Sequence, residues 1–470
     1  MSTEKAPAIV LAAEKGSDPF FRLVAAAPGF APPSALQRIG RHLLLKQLAG
    51  LVDGEIRLHE GASELRFGTA SARCPLSVTV RVHHPQFYAD VAFGGTVGAG
   101  EAYMDAHWEC DDLTSLVRIM VVNRDLMSGM EGGWAAVASA PLRKLFHWAN
   151  RNSRTGSARN IAAHYDLGND LFELMLDDTM AYSCGIFTRP DATLREASLA
   201  KFDAVCRKLD LQPGDRVLEI GTGWGGLAIH AAQHYGCHVT TTTISREQHD
   251  YARERIARAG LEDRITLLLE DYRELRPGEL RPGESRPGES RPGELRPGSP
   301  GPGGGRSGGA GFDKLISIEM IEAVGHQYLD TFFATCNRLL APHGAMLLQA
   351  ITIRDQLYEA ALDSVDFIQR FIFPGSFIPS VRALGDSVAR VTDMKVFHLE
   401  DIGPHYATTL RRWRENFLAN LPALRALGYP ERFVRMWQYY LCYCEGGFEE
   451  RQLGDVQMLL TKPGCRRPPL

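Results

Sequence analysis

The sequence predicts an α/β fold: a mostly parallel, doubly wound sheet preceded by a small α+β domain. Three observations point there. Short apolar runs at 216–220, 237–243, 264–269, 313–319 and 344–351 alternate with helical patterns, the order that βαβ units require. The first run breaks at Gly221-Thr-Gly-Trp-Gly-Gly226, and a helical pattern (Leu227, Ala228, Ile229, Ala231, Ala232) follows at once. A strand that feeds a glycine turn and then a helix brings bare backbone N–H groups to whatever ligand sits there. Upstream of this unit, a separate segment has apolar periodicity of its own.

Taken in order, residues 1–34 are rich in Ala and Pro and are expected to be a flexible N-terminus. Residues 35–123 read as the small domain. It opens on a helical stretch (Leu36, Ile39, Leu43, Leu44, Leu48), continues in alternating strand-like runs such as Leu76-Ser-Val-Thr-Val-Arg-Val82, and ends in helices carrying Leu113, Leu116, Val117, Ile119 and Met120. Residues 124–165 form a connection, and 166–470 the larger domain, whose nucleotide fold begins near Ala197. The stretch 352–440 is helical and aromatic and should roof a substrate site as a lid, with Gln457-Met-Leu-Leu460 as a final strand.

One segment is out of character. From Arg276 to Pro300 five-residue units of the type Arg-Pro-Gly-Glu-Leu repeat, then dissolve into Gly-Pro-Gly-Gly-Gly-Arg-Ser-Gly-Gly. With almost nothing to bury, such an insert (276–311) cannot offset its ordering entropy and is expected to be disordered.

Composition bounds the function. A chain of 470 residues suits two to three domains. A net charge of −4 argues against general nucleic-acid binding. Nine cysteines, without a Cys-x-x-Cys pair, fit a reducing cytoplasm better than a disulfide framework or a structural zinc site, so no metal is expected. No run is apolar for long enough to span a bilayer, which leaves peripheral contact as the route to a membrane.

The glycine turn alone is weakly specific, since dinucleotide folds share it and an ordinary tight turn would also need it. Glu219 just before the turn sharpens it. The second strand ends Val239-Thr-Thr-Thr-Thr-Ile-Ser-Arg-Glu-Gln248, with hydroxyls and an amide where an NAD-binding fold carries the acid that holds the ribose. A nucleoside without a pyrophosphate fits, and S-adenosylmethionine is the common candidate.

Several further stretches make the reading specific: His164-Tyr-Asp-Leu-Gly-Asn-Asp-Leu-Phe172, Met180-Ala-Tyr-Ser-Cys-Gly185, Thr243-Ile-Ser-Arg-Glu-Gln248, Glu270-Asp-Tyr-Arg273, Ser317-Ile-Glu-Met-Ile-Glu-Ala-Val-Gly325, Phe373-Pro-Gly-Ser-Phe-Ile-Pro-Ser380 and His405-Tyr-Ala-Thr-Thr409. With these the chain resembles the cyclopropane-fatty-acyl-phospholipid synthases from about residue 35 to 460, the repeat excepted. The resemblance implies a Rossmann-like class I methyltransferase sheet with a helical lid, a small N-terminal lipid-binding domain, and a homodimer. It implies S-adenosylmethionine as methyl donor and a double bond of an unsaturated phospholipid acyl chain as acceptor. It assigns cofactor contacts to Tyr182, Ser183, Glu219, Gly221 and Gly223, to Thr243 and Gln248 near the ribose, and to Asp271 with Tyr272 beside adenine. Each has a plainer alternative: Tyr182 as a core aromatic, Thr243 as a strand former, Asp271 as a helix cap.

In that chemistry a π bond attacks the sulfonium methyl and leaves positive charge on the neighbouring carbon; loss of a proton from the transferred methyl closes the three-membered ring. The site must hold a cationic donor, exclude water and supply a base. The resemblance makes that base a bound bicarbonate ion, caged by Cys184, Glu322, Ile351 and Tyr406. Family members commonly carry a His where this chain has Gln349, and Gln neither carries charge nor relays a proton. A methyl-branched or methylene product is therefore an alternative to the ring. Cys444 matches a cysteine regarded in the family as a candidate active-site residue, and a packed, inert thiol fits it as well.

Between Gly132 and Tyr165 there is no acidic residue, while Arg143, Lys144, Arg151, Arg154 and Arg159 interleave with Leu142, Leu145, Phe146 and Trp148. This basic linker suits the anionic inner face of a membrane, where each cation adds on the order of 1 kcal/mol. A solvated linker helix fits equally. Phe367-Ile-Gln-Arg-Phe-Ile-Phe373 is expected to wall an acyl tunnel. Two other classes stay open: a methyltransferase of soluble small molecules, which would not need the accessory domain, and a lipid-binding protein without catalysis, which would not need Glu322, Tyr406 and the glycine turn.

Overall fold

A computed structural model describes residues 33–124, 168–276 and 311–470. The basic linker and the repeat, except for their outermost residues, lie outside these, as does the N-terminal stretch to residue 32. The chain divides into two compact units, one drawing on residues 1–150, 359–374 and 406–453, the other on 151–358, 375–405 and 454–470.

The first unit starts with α1 (Ala35–Leu48), whose N-terminus is closed by a capping box between Ser34 and Gln37. Of the five leucine and isoleucine positions that mark the helical stretch, Leu44 and Leu48 are buried, with Gly40 and Leu45, while Leu36, Ile39 and Leu43 are exposed. Gly40 decides this: a Cβ there would lie 2.7 Å from the Tyr88 carbonyl, so α1 rests its glycine face on the following helix. Strands β1 (Gly54–Glu60), β2 (Ser63–Thr69), β3 (Ser77–Val82) and, after helix α2 (Gln86–Met104), β4 (Trp108–Cys110) form a four-stranded sheet in the order β2-β1-β3-β4. Helix α3 (Leu113–Val122) follows, capped by Asp112.

The second unit contains α4 (Gly168–Met175), α5 (Leu194–Leu209), β5 (Arg216–Ile220), α6 (Gly226–Tyr235), β6 (His238–Thr243), α7 (Arg246–Arg258), β7 (Ile265–Leu269), β8 (Phe312–Ile318), α8 (Leu329–Leu339) and β9 (Leu340–Ile353). After α9 (Asp355–Leu362) come α10 (Val381–Val391) and β10 (Lys395–Asp401), then α11 (Gly403–Ala419), α12 (Leu421–Ala426), α13 (Glu431–Glu449) and β11 (Leu453–Thr461). The seven-stranded sheet runs β10-β11-β9-β8-β5-β6-β7. Strands β5 to β9 pair in parallel and β10 pairs antiparallel with β11. The chain steps from β5 outward to β6 and β7, then returns to β8 on the other side of β5. That reversal opens a crevice at the carboxyl ends of β5 and β8, where ligands of such sheets bind.

Every strand expected for the methyltransferase sheet is present. β10 was not anticipated, because an edge strand with mostly exposed or half-buried residues carries no clear alternation. Residues 359–374 and 406–453, read from sequence as part of the larger domain, pack with the first unit. The reason lies on α13: Glu445, 2 % exposed, accepts from Thr114, Arg411 and Arg414, and Arg118 pairs with Glu450 at 2.7 Å. Removing such a buried, paired carboxylate from its partners is costly. Phe367 is fully buried in this unit, with its ring 4.7 Å from that of Tyr439.

The repeat joins Arg276 to Gly311. Its far end meets the amino end of β8, where the Arg216 side chain donates to the Gly311 carbonyl; this edge is opposite the crevice. Its near end leaves from the crevice side, just after the short 3₁₀ turn Tyr272–Glu274. Loop-closure entropy grows slowly with length, so about 30 extra residues should cost on the order of 1 kcal/mol. Replacing Arg276–Ala310 with a short Gly-Ser turn is expected to leave turnover within about twofold and stability equal or slightly higher. A shortened protein that melts like the parent but no longer turns over would make the repeat a functional element.

Candidate functional site

The crevice holds a cavity of about 200 Å³ lined by the ends of β5, β6 and β8. Strand β5 ends at Ile220, and Gly221 and Gly223 follow with φ of 100° and 52°. A side chain is strained in both conformations, so the turn requires glycine. The turn is anchored by N–H groups of Gly221 and Thr222 donating to the Thr242 carbonyl at 3.0 and 3.1 Å. Beneath it Glu219 is 3 % exposed and accepts from Thr241 at 2.5 Å. Burial raises its carboxyl to about 7, so near neutral pH it is close to half protonated.

The expected cofactor residues converge here. Tyr182, Ser183, Glu219, Gly221, Gly223, Thr243, Gln248, Asp271 and Tyr272 all line this cavity. Thr243 donates to Gln248 Oε1 at 3.0 Å, which leaves the Gln248 NH2 as donor on that wall. Asp271 acts as the cap that the plainer alternative expected and also lies on the cavity wall. It caps the 3₁₀ turn through the Arg273 N–H, pairs with the Arg273 guanidinium, and still faces the cavity. On the opposite side the Phe172 ring meets Tyr182 edge-on at 5.1 Å and Trp224 at 4.8 Å. Arg255 ties this wall together by donating to the carbonyls of Asp178, Thr179 and Trp224.

Behind the cavity sits a buried acidic cluster in which Glu322 was expected from the resemblance and Glu319 and Asp455 were not. Glu319, at the end of β8, has a positive φ of 47°, a strained backbone of the kind that persists where its surroundings over-determine it. Its Oε1 accepts from the Cys184 N–H at 2.9 Å and from Gln349 Nε2 at 2.7 Å. Gln349 Nε2 also donates to Asp455 at 3.1 Å. Glu322 Oε1 accepts the Ile351 N–H at 2.6 Å, while its Oε2 has no partner among the described residues, and neither does Asp455 Oδ1. Burial, reinforced by Glu319, raises the Glu322 carboxyl to about 8. The same two causes raise Asp455 well above the carboxylate range. Lys201, 1 % exposed, faces this cluster from α5 and donates to Ser183 at 2.8 Å; burial lowers its ammonium. Cys184 is fully buried, and burial beside Asp455 and Glu319 keeps its thiol protonated.

Thus four of the residues expected to take part in catalysis, Cys184, Glu322, Gln349 and Ile351, belong to one cluster. Glu322 does so with a carboxyl that burial raises to about 8. Tyr406 and Cys444 fall in the first unit. Tyr406 is buried and stacked on Phe448 at 4.5 Å. Cys444 lies on α13, where burial raises its thiol. Lys201, Glu319, Asp455 and Gln457 were missed. Glu319 sits within a quoted motif, and its place at a strand end just before the turn was the available signal. No group of residues suited to a metal ion occurs among the described residues.

The sequence profile described as mycolic acid cyclopropane synthetase matches residues 152–280 and 308–458. The chain is 35 % identical over 406 residues to the tuberculostearic acid methyltransferase UfaA1 of Mycobacterium tuberculosis, covering 84 % of this chain and 86 % of that protein. It is 36 % identical over 387 residues to the cyclopropane-fatty-acyl-phospholipid synthase of Escherichia coli K12, covering 82 % and 87 %. Among solved structures, the cyclopropane synthase MmaA2 of Mycobacterium tuberculosis superposes with a TM-score of 0.55 at 27 % identity, over 65 % of this chain and 98 % of that one. The mycolic acid cyclopropane synthase CmaA1, complexed with SAH and CTAB, gives 0.54 at 29 % identity, over 65 % and 98 %.

Proposed function

The chain belongs to the mycolic acid cyclopropane synthetase family and is an S-adenosylmethionine-dependent methyltransferase, and from that premise we propose that it methylates the double bond of unsaturated acyl chains in membrane phospholipids to form cyclopropane fatty acids. The observation that carries this reading is the buried acid cluster set directly against the cofactor cavity. A methyltransferase acting on a nucleophile that carries its own lone pair has no carbocation to manage. A site that attacks an alkene has one, and it needs both negative potential and a place for a proton.

S-adenosylmethionine supplies the sulfonium methyl. Gly221 and Gly223 let the backbone approach it closely, Thr243 and Gln248 suit the ribose, and Asp271 with Tyr272 suits the adenine. Ser183, held by Lys201, and Glu319 line the reacting side. Glu319, which takes the Cys184 N–H and the Gln349 amide, is the group placed to stabilise developing positive charge in a water-poor interior, where such interactions are strong.

Bicarbonate fits the second half of the site. Glu322 Oε1 is committed to the Ile351 N–H, so the proton of the neutral acid sits on Oε2, the buried oxygen without a partner. A donor of that kind suits an oxyanion, with Cys184 and Ile351 beside it in the same cluster. Bound there, bicarbonate would supply the base for the methyl proton. Glu322, with its carboxyl near 8, is matched to passing a proton at neutral pH. Because Gln349 is neutral, a methyl-branched or methylene product is the second reading, and UfaA1 bears the name of a tuberculostearic acid methyltransferase.

Peripheral docking on an anionic bilayer from the cytoplasmic side, and a homodimer, belong to the same proposal. No helix among the described residues is long and apolar enough to cross a membrane. The test is acyl-chain analysis of a host rich in unsaturated phospholipids, fed methyl-labelled methionine. We expect label in acyl chains heavier by one methylene, with ring protons in their NMR spectra. Labelled branched chains would select the second reading, and unlabelled lipid would overturn both.

A further inference from the structure

We propose that Lys208 and Gln457 are positioning residues that hold the Gln349 amide as a double donor to Glu319 and Asp455. The inference rests on reading this site as one of methyl transfer. Lys208, at the end of α5, donates to Gln457 Oε1 at 2.5 Å and pairs with Glu400 on its exposed side. Gln457 Nε2 donates to Gln349 Oε1 at 2.9 Å. Gln349 Nε2 then donates to Glu319 at 2.7 Å and to Asp455 at 3.1 Å.

The direction of this chain is determined by its ends. An ammonium only donates, and at the other end Glu319 Oε1, which also takes the Cys184 N–H, accepts. Turning both amides over would set the Gln457 NH2 against the Lys208 ammonium and the Gln349 carbonyl against Glu319 Oε1. Gln349, Asp455 and Gln457 are each 0 % exposed, so no water would relieve those contacts, and buried unmatched groups are expensive. Edge strand β10 thus reaches, through Glu400 and Lys208, to Glu319 on the cavity wall. The same chain accounts for a glutamine in this position: it is a neutral part that can accept at one end and donate twice at the other.

Gln457→Glu tests the proposal with little change of shape. Beside Lys208 the new carboxylate is ionised, still accepts, and no longer donates to Gln349. We expect kcat to fall about tenfold, equivalent to about 1.4 kcal/mol, with KM for S-adenosylmethionine within about threefold. The Gln349 side-chain amide signals, identified in glutamine-labelled protein by their loss in Gln349→Met, should move. Lys208→Met should give a smaller fall in kcat that Lys208→Arg recovers. Unmoved amide signals with parental kcat in Gln457→Glu overturn the proposal. A joint fall in kcat, affinity and melting temperature that Lys208→Arg does not recover also overturns it, making these residues merely structural. If the parent protein labels no acyl chain, the methyl-transfer reading fails instead, and the amide signals alone decide the orientation.

Discussion

Glu322→Gln is expected to lower turnover by about two to three orders of magnitude while S-adenosylmethionine affinity stays within a few-fold, the range typical for losing a positioned acid–base group. Gln preserves the contact to the Ile351 N–H and an outward donor, but it cannot release a proton. The comparison therefore isolates proton transfer from simple holding. Stability supplies the control. The Glu322 carboxyl is raised from 4.5 to about 8 by burial, so the folded state binds a proton that the unfolded state has lost between those values. Its contribution to stability is full below about pH 4.5 and disappears as pH rises through about 8. Over that window the parent protein should lose on the order of a few kcal/mol that Glu322→Gln retains. The variant should thus melt higher than its parent at pH 9 while being nearly inactive at every pH. Parallel loss of affinity and turnover would make Glu322 a cofactor or folding residue.

Gln349→His is expected to raise the cyclopropane share of product at least twofold, or to steepen the response to added bicarbonate. An imidazole can accept from Gln457 on one nitrogen and donate to the carboxyl pair with the other, so the hydrogen-bond chain survives with one donor fewer. What it adds is a group that, while neutral, can take up a proton, giving up its acceptor toward Gln457 when it does so. A proton leaving the new methyl then has a nearby partner at the moment of ring closure. Product ratios resolved by chromatography, with and without bicarbonate, decide it. Identical ratios and identical bicarbonate dependence in both proteins would remove position 349 from the choice of product.

Much of this protein is determined by local sequence. Strands β5 to β9 and β11 are sandwiched between helices, and strands buried on both faces read as apolar runs. The turn at Gly221 and Gly223 is legible because only glycine holds those backbone angles without strain. The residues of the cavity wall from Tyr182 to Tyr272 were named through the family resemblance rather than by local pattern, and the fold brings them to one cavity. Tertiary structure decided the rest. Nothing in the pattern of α5 tells that Lys201 is 1 % exposed, since a lysine in an amphipathic helix reads as a solvated residue. Nor can spacing reveal that Glu319, Gln349, Asp455 and Gln457 share one hydrogen-bond chain. They lie on β9, on β11 and at the end of β8, strands that are neighbours in the sheet although far apart in sequence. The protonation of Glu322 and the polarity of the Gln349 amide follow from the dryness of that interior and from which groups face one another there. Local sequence encodes backbone conformation; only the folded packing sets the desolvation and the partners that give these side chains their chemistry.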